Sequence, residues 1–200
     1  VCIEVSNSVD ILYQNFSDKL EKALIIQADF EKLPIKEETI DHAFSIGVLH
    51  HSKNQEIAFS QVYKCLKNNG SFAASVYSKD SPYNLPLVYL YRKFFNFLKY
   101  FFSYYPVLFY AYLIVNIYYP IAKIMKFRGS YLLAKSIFPA LIYKDKRWSI
   151  LDTFDLLSPK FASTHSNENV INWFKNNKFI NLQKTSSHNA CYKGFVKKPK

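Results

Sequence analysis

The chain has 200 residues, enough for one domain with a substantial core or one domain carrying a large insertion. Lys and Arg exceed Asp and Glu by 11, and between Ile57 and Lys144 the only acid is Asp80, so the middle of the chain suits a phosphate- or carboxylate-bearing small molecule or an anionic membrane surface. No recognition motif for nucleic acid accompanies that charge, which argues against such a partner, and Cys2, Cys65 and Cys191 are too few and too scattered for a disulfide framework or a structural zinc site.

A reducing, cytoplasmic setting fits that cysteine usage. The chain opens on Val1, and "VCIEVS" reads as a short buried strand rather than a signal peptide, so the sequence is expected to begin inside a domain. A helical pattern follows from about Val9 to Leu20, then "ALIIQAD" as a second strand and, after a loop through Pro34, "IDHAFSIGV" as a third. Ile57, Ala58, Val62 and Leu66 form one face of a helix that "KNNG" is expected to stop, and "SFAASVYS" is the next strand. Strand alternating with helix predicts a parallel α/β sheet with right-handed crossovers.

From Ser81 to Tyr143 the texture changes to aromatic, aliphatic and basic helices punctuated by prolines. Tyr100 to Ala122 holds no charge over 23 residues, long enough for a bilayer crossing. Seven tyrosines, Ser103, Asn116 and an internal proline favour instead a helical cap able to make peripheral membrane contact through residues 83–143. From Trp148 come "WSILDTFDLLSPKF", a helix from about Asn167 to Asn176, and "FINLQKTSS" with "CYKGFVKK" as an antiparallel strand pair. The expected organisation is a partial α/β core at 1–80, a helical cap at 81–147 and completion of the α/β domain at 148–200.

Ligands of open parallel sheets gather beyond the carboxyl ends of the strands. Glu4, Asp29 with Phe30, Gly47 to His51, and Tyr77 fall there. A strand-end carboxylate in the place of Glu4 is the expected partner for two ribose hydroxyls, Asp29 could accept from an exocyclic amine, and Phe30 could cover a flat base. His50 or His51 is a candidate base near neutral pH, or a packing and capping residue at the site rim. Adjacent residues point in different directions, so both are not expected to face one ligand. Asp152 and Asp155 are candidates for the substrate side, or an acid pair at a helix start.

These residues resemble the class I S-adenosylmethionine-dependent methyltransferases, particularly the small-molecule branch called type 11. The likeness rests on "IEVSNSVD", "ADFEKLPIKEETIDHAFSIGVLHH" and "AFSQVYKCLKNNGSFAASVY", and covers Val1 to about Ser78. It implies a Rossmann-like, mostly parallel sheet and S-adenosyl-L-methionine as cofactor. Glu4 would then bind the ribose, Asp29 and Phe30 flank the adenine, and Ile46 and Gly47 lie beside the methionine part. His50 and His51 would be catalytic candidates, with Tyr77, Asp152 and Asp155 on the side of a small-molecule substrate. The family usually has Asp in place of Glu4 and Gly in place of Cys2. "LDTFDLLSPKFASTHSNENVINWFKNNKFINLQ" resembles the ending of a bacterial subgroup that tends to have Gly where Lys178 stands.

The family's cofactor loop is a glycine-rich turn after its first strand, whereas this chain has only Gly47, Gly70, Gly129 and Gly194 and no GxG. In the family's strand order, 3-2-1-4-5-7-6, the first strand lies between those carrying Glu4 and Gly47, so its loss would open the middle of the sheet. The chain is therefore expected to be an N-terminally truncated methyltransferase that binds cofactor poorly alone. The alternative is a non-catalytic membrane-peripheral or interaction protein on a degenerate scaffold.

Overall fold

The computed structural model describes residues 1–16, 23–186 and 190–198, and the expected end of the first helix at Leu20 and part of the "SSHNA" turn lie outside them. The chain divides into two compact units, Val1–Val76 with His165–Lys200, and Tyr77–Thr164.

In the first unit β1 (Cys2–Glu4) pairs in parallel with β2 (Ile25–Gln27), with α1 (Ser8–Phe16) between them in sequence. A second sheet has the order β3-β4-β6-β5, formed by Ile40–Ile46, Leu66–Val76, Ala190–Val196 and Phe179–Lys184. Strand β3 runs parallel to β4, while β6 is antiparallel to both β4 and β5. The expected parallel core and C-terminal antiparallel pair are therefore present, but the sheet comes in two pieces. Among the described residues, the second edges of β1 and β3 bond to no strand. The break falls between the strand ending at Glu4 and the strand leading to Gly47, and on the face of β3 beside it Phe44 and Ile46 are 79% and 69% exposed.

Helices α2 (Gln55–Cys65) and α6 (Asn167–Asn176) pack on the larger sheet. Each begins with a polar cap that satisfies an otherwise orphaned amide: Asn54 accepts from the Ile57 N–H, and Ser166 from that of Asn169. Phe59 of α2 is the hub of the core. Its ring meets Phe72 of β4, Phe174 of α6 and Phe179 of β5 edge-on at 5.0, 4.8 and 5.7 Å between centroids, a geometry that aligns ring edges with ring faces. On β6, Gly194 passes beneath this cluster; a Cβ there would lie 2.9 Å from the Phe174 ring.

Helix α2 stops just before "KNNG", as expected, but that stretch lies inside the next strand rather than between helix and strand. The helix ends at Cys65 and the chain enters β4 directly at Leu66. The register steps from Ile40↔Leu66 to His42↔Ser71, so residues 67–70 bulge out of the ladder, with Asn69 left-handed at φ 64°. Asparagine and glycine thus accommodate a bulge within the strand, while the helix is capped earlier, at Leu66.

The second unit contains α3 (Pro86–Phe102), α4 (Tyr105–Ile124), a 3-10 segment at Ser130–Lys135, and α5 (Lys146–Leu157). Prolines in the first turns of α3 and α4 occupy positions where no helical N–H bond is lost. Val88 and Phe95 of α3, Val107 of α4 and Leu156 and Leu157 of α5 bury one another, and a neighbouring cluster joins Ile114 and Val115 of α4 to Ala140 and Ile142. Because Leu156 and Leu157 pack in this cluster, α5 belongs with the helical unit, which ends at Thr164 rather than at 147. The acid capping the start of α5 is Asp145, which accepts from the Arg147 and Trp148 amides; Asp152 and Asp155 stand further along the helix.

Lys178, between α6 and β5, has φ 58°, the left-handed conformation that a side chain disfavours and glycine adopts freely. Lys178→Gly is therefore expected to stabilise the first unit by about 0.5–1 kcal/mol, read from the urea midpoint at constant slope. An unchanged or lower midpoint would remove the inferred strain.

Candidate functional site

In the first unit, three strands deliver their carboxyl ends to the candidate site. Glu4 closes β1, and its Oε1 accepts the Ser6 amide at 2.8 Å, which fixes the carboxylate at the strand end. The Glu4 carbonyl accepts the Ala28 amide at 3.0 Å, tying the end of β1 to the turn after β2. In that turn Asp29 is exposed and its Oδ1 accepts the Glu31 amide at 2.9 Å, while half-buried Phe30 packs against the hydrophobic core. Glu31 Oε1 then accepts the Asn54 amide at 2.7 Å, linking the turn to the loop after β3. One short bond thus connects the Asp29–Phe30 side to the Gly47–His51 side.

Gly47 follows β3 with φ 70°, and its amide donates to the Ser75 carbonyl at 2.9 Å. Nothing lies within 4 Å of the position a Cβ would take, so its face is open, and its left-handed backbone explains glycine here. Ile46 beside it is 69% exposed. Leu49–His51 form a 3-10 turn with the two imidazoles 4.1 Å apart and tilted by 55°. The two histidines differ in setting: His50 is fully buried and His51 half-buried, so His51 is the more accessible of the pair. Carboxylates at two strand ends, an aromatic ring and an open glycine face have the chemistry to hold a nucleoside with a small polar extension along this wall.

Tyr77, Asp152 and Asp155 lie in the second unit, and the structure joins two of them. The Tyr77 hydroxyl donates to Asp155 Oδ2 at 2.7 Å, and the Tyr83 ring stacks on Tyr77 at 3.7 Å between centroids. Burial, foremost, pushes both phenols above their ordinary range. Burial also raises Asp152, opposed by a hydrogen bond from Tyr143 and reinforced by the nearby charge of Asp155.

Sequence reasoning overlooked Arg92. Only 6% exposed, it donates to the carbonyls of Leu156, Tyr83 and Ala162 at 2.8, 3.2 and 3.4 Å, fastening α3 to α5 and the segment after it. Burial lowers its pKa. Its place between Val88 and Phe95, on the buried stripe of α3, was the available signal: a cation at core spacing needs acceptors.

Residues 1–74 match the methyltransferase domain family. The sterol 24-C-methyltransferase of Saccharomyces cerevisiae is 28% identical over 81 residues, a match spanning 38% of this chain and only 20% of that enzyme. Among solved structures, a SAM-dependent methyltransferase from Thermotoga maritima, described as a possible histamine N-methyltransferase, superposes with TM-score 0.50 at 14% identity, covering 98% of this chain and 72% of its own. The sequence match lies over the strand ends that carry Glu4, Asp29 and Gly47, so residues 1–74 are similar to the methyltransferase domain, and the fold likeness to a SAM-dependent methyltransferase extends along nearly the whole chain.

Proposed function

We propose that the chain serves in S-adenosylmethionine-dependent methyl transfer to a small molecule, with Glu4, Asp29, Phe30, Ile46 and Gly47 forming one wall of the cofactor site. The observation that carries this reading is the arrangement of Glu4, Asp29 and Gly47 at or just beyond three strand ends, connected through the Glu31–Asn54 bond. When bound, the cofactor supplies an electrophilic methyl group on a sulfonium. Glu4 accepts hydroxyl hydrogen bonds, Asp29 accepts from an amine, Phe30 covers the base, and the open face of Gly47 admits the polar extension. His51 is the proposed proton acceptor, its half-exposed ring being the accessible one, and His50 packs behind it.

For the acceptor we assign Tyr77, Asp152 and Asp155. The Tyr77–Asp155 bond fixes one carboxylate, and the raised pKa of Asp152 keeps a proton available for hydrogen bonding over a wider pH range. A lipid-like or glycan-precursor acceptor is favoured by the density of aromatic side chains on α3 and α4.

The broken sheet favours a qualification: this 200-residue chain binds the cofactor weakly and is inactive alone. With no GxG in the sequence and two bare strand edges, the backbone donors that would face the cofactor's opposite side are not supplied by the described residues. The same break supports, as a second reading, a non-catalytic interaction protein on a methyltransferase scaffold.

Calorimetry with S-adenosylhomocysteine is expected to give a Kd weaker than about 100 µM, and a low-micromolar value would overturn the proposed weakness. At high cofactor concentration, Asp29→Ala should weaken residual binding about tenfold or more through loss of a charge-assisted hydrogen bond; His51→Ala should leave binding intact and lower any methyl transfer seen in a small-molecule screen. Unchanged binding for the first and unchanged transfer for the second would remove both residues from the site. Because the folded-state pKa of Asp152 is raised above its ordinary 3.8, the native state holds that proton while the unfolded state releases it, and stability falls as pH rises through the carboxylate range. Asp152→Asn should flatten that part of the urea-midpoint profile between acid and neutral pH, and an unaltered profile would contradict the shift.

A further inference from the structure

Helices α3 and α4 present an inverted amphipathicity. Their smaller and buried side chains face α5 and the segment at 133–142, while Phe97, Phe101, Phe109, Tyr112 and Leu113 on the outer faces are between 48% and 69% exposed. On α3 the exposed side chains recur at Leu90, Phe94, Phe97 and Phe101, and on α4 at Tyr105, Phe109, Tyr112 and Leu113, spacings that keep each set on one side of its helix. Both helices pack their opposite sides on the same underlying layer, so the outer faces look away from it. An apolar surface of this extent is costly in water.

Charge identifies what covers it. Residues 81–144 contain eight Lys and Arg and no Asp or Glu. Lys93 projects among the aromatic side chains of α3, and Lys123, Lys126 and Arg128 are exposed at the end of α4. Where α3 ends, a cleft of about 600 Å³ is lined by Phe97 and Tyr100 together with Lys99 and Lys160. Aromatic side chains beside lysines, without a single acid, match a bilayer interface with anionic headgroups.

Crossing the bilayer does not fit. At 20 residues α4 is long and apolar enough by composition, but Lys146 donates to the Asn116 side chain at 2.6 Å, midway along it. Tyr119 is likewise bonded to the Lys144 carbonyl at 2.7 Å. A spanning α4 would carry Lys146, and with it the charged start of α5, into the hydrocarbon.

We propose that the outer faces of α3 and α4 dock the protein in the plane of an anionic membrane, the aromatic side chains entering the interface and the lysines meeting lipid phosphates. The proposal does not rest on methyl transfer: docking requires no cofactor, so its failure and that of the enzymatic reading are separable.

The test is flotation of the 200-residue chain with vesicles of phosphatidylcholine alone and with added phosphatidylserine. Binding is expected only to the second, to weaken with salt, and to be released by alkaline carbonate. Lys93→Ser with Lys123→Ser and Lys126→Ser should weaken it about 100-fold at low salt. Phe97→Ser with Phe101→Ser and Phe109→Ser, all exposed positions, should weaken it at least about tenfold with an unchanged circular dichroism spectrum. Equal binding to both vesicle types overturns the charge assignment, and resistance to carbonate indicates a spanning helix and overturns the in-plane geometry. Self-association in the ultracentrifuge without vesicle binding, relieved by the phenylalanine variants, assigns the face to a second copy and overturns the proposal.

Discussion

Strand β4 is the member on which the first unit depends. It is hydrogen-bonded in parallel to β3 on one side and antiparallel to β6 on the other, so its two ladders join the N-terminal βα segment to the C-terminal strand pair across more than a hundred intervening residues. Its Phe72 meets Phe59, and through Phe59 the two helices and β5 share one aromatic core. The bulge at 67–70 lets α2 run into this strand without an intervening loop while keeping Ala43 to Ile46 in register with Phe72 to Ser75. The position of Gly47 follows directly, because its amide is the next donor to this ladder, at Ser75.

The candidate site combines a well-anchored part with a weakly anchored one. Gly47 and the histidine turn extend from a sheet with a large core. Glu4 and Asp29 extend from a two-strand ladder of three residue pairs, connected to the rest through Phe30 and the Glu31–Asn54 bond. An isolated pair of short strands has little stability of its own, so contacts such as these two contribute to how well the wall is held.

Strand and helix order was legible in the first unit because the periods agreed with the elements: "IDHAFSI" lies in a strand, Ile57, Ala58 and Val62 lie in α2, and Asn167–Asn176 is the predicted helix. The resemblance, rather than periodicity, located the break in the sheet. Features made by tertiary contact were not legible. "KNNG" carries the same residues whether it ends a helix or bulges a strand, and only pairing with β3 decides. The allegiance of α5 depends on Leu156 and Leu157 meeting residues more than 40 positions earlier. Tyr77 and Asp155 were singled out separately, but their hydrogen bond spans 78 residues and has no local signature. The burial of His50 was equally invisible, since "LHH" does not say which imidazole turns inward.

The three-pair ladder has a thermodynamic consequence for any ligand of the wall. Segments with few buried contacts open without global unfolding, so the amides of Ile26 and Gln27 are expected to exchange faster than those of Phe72 to Ser75. A molecule touching Glu4, Asp29 and Gly47 together would bind only while the two pieces are held as the Glu31–Asn54 bond holds them, and part of its interaction energy would go into ordering the smaller piece. Linkage makes that exchange reciprocal: occupancy would raise the protection of β1 and β2 far more than that of β4, converting a loosely held lobe into a structural element of the bound state.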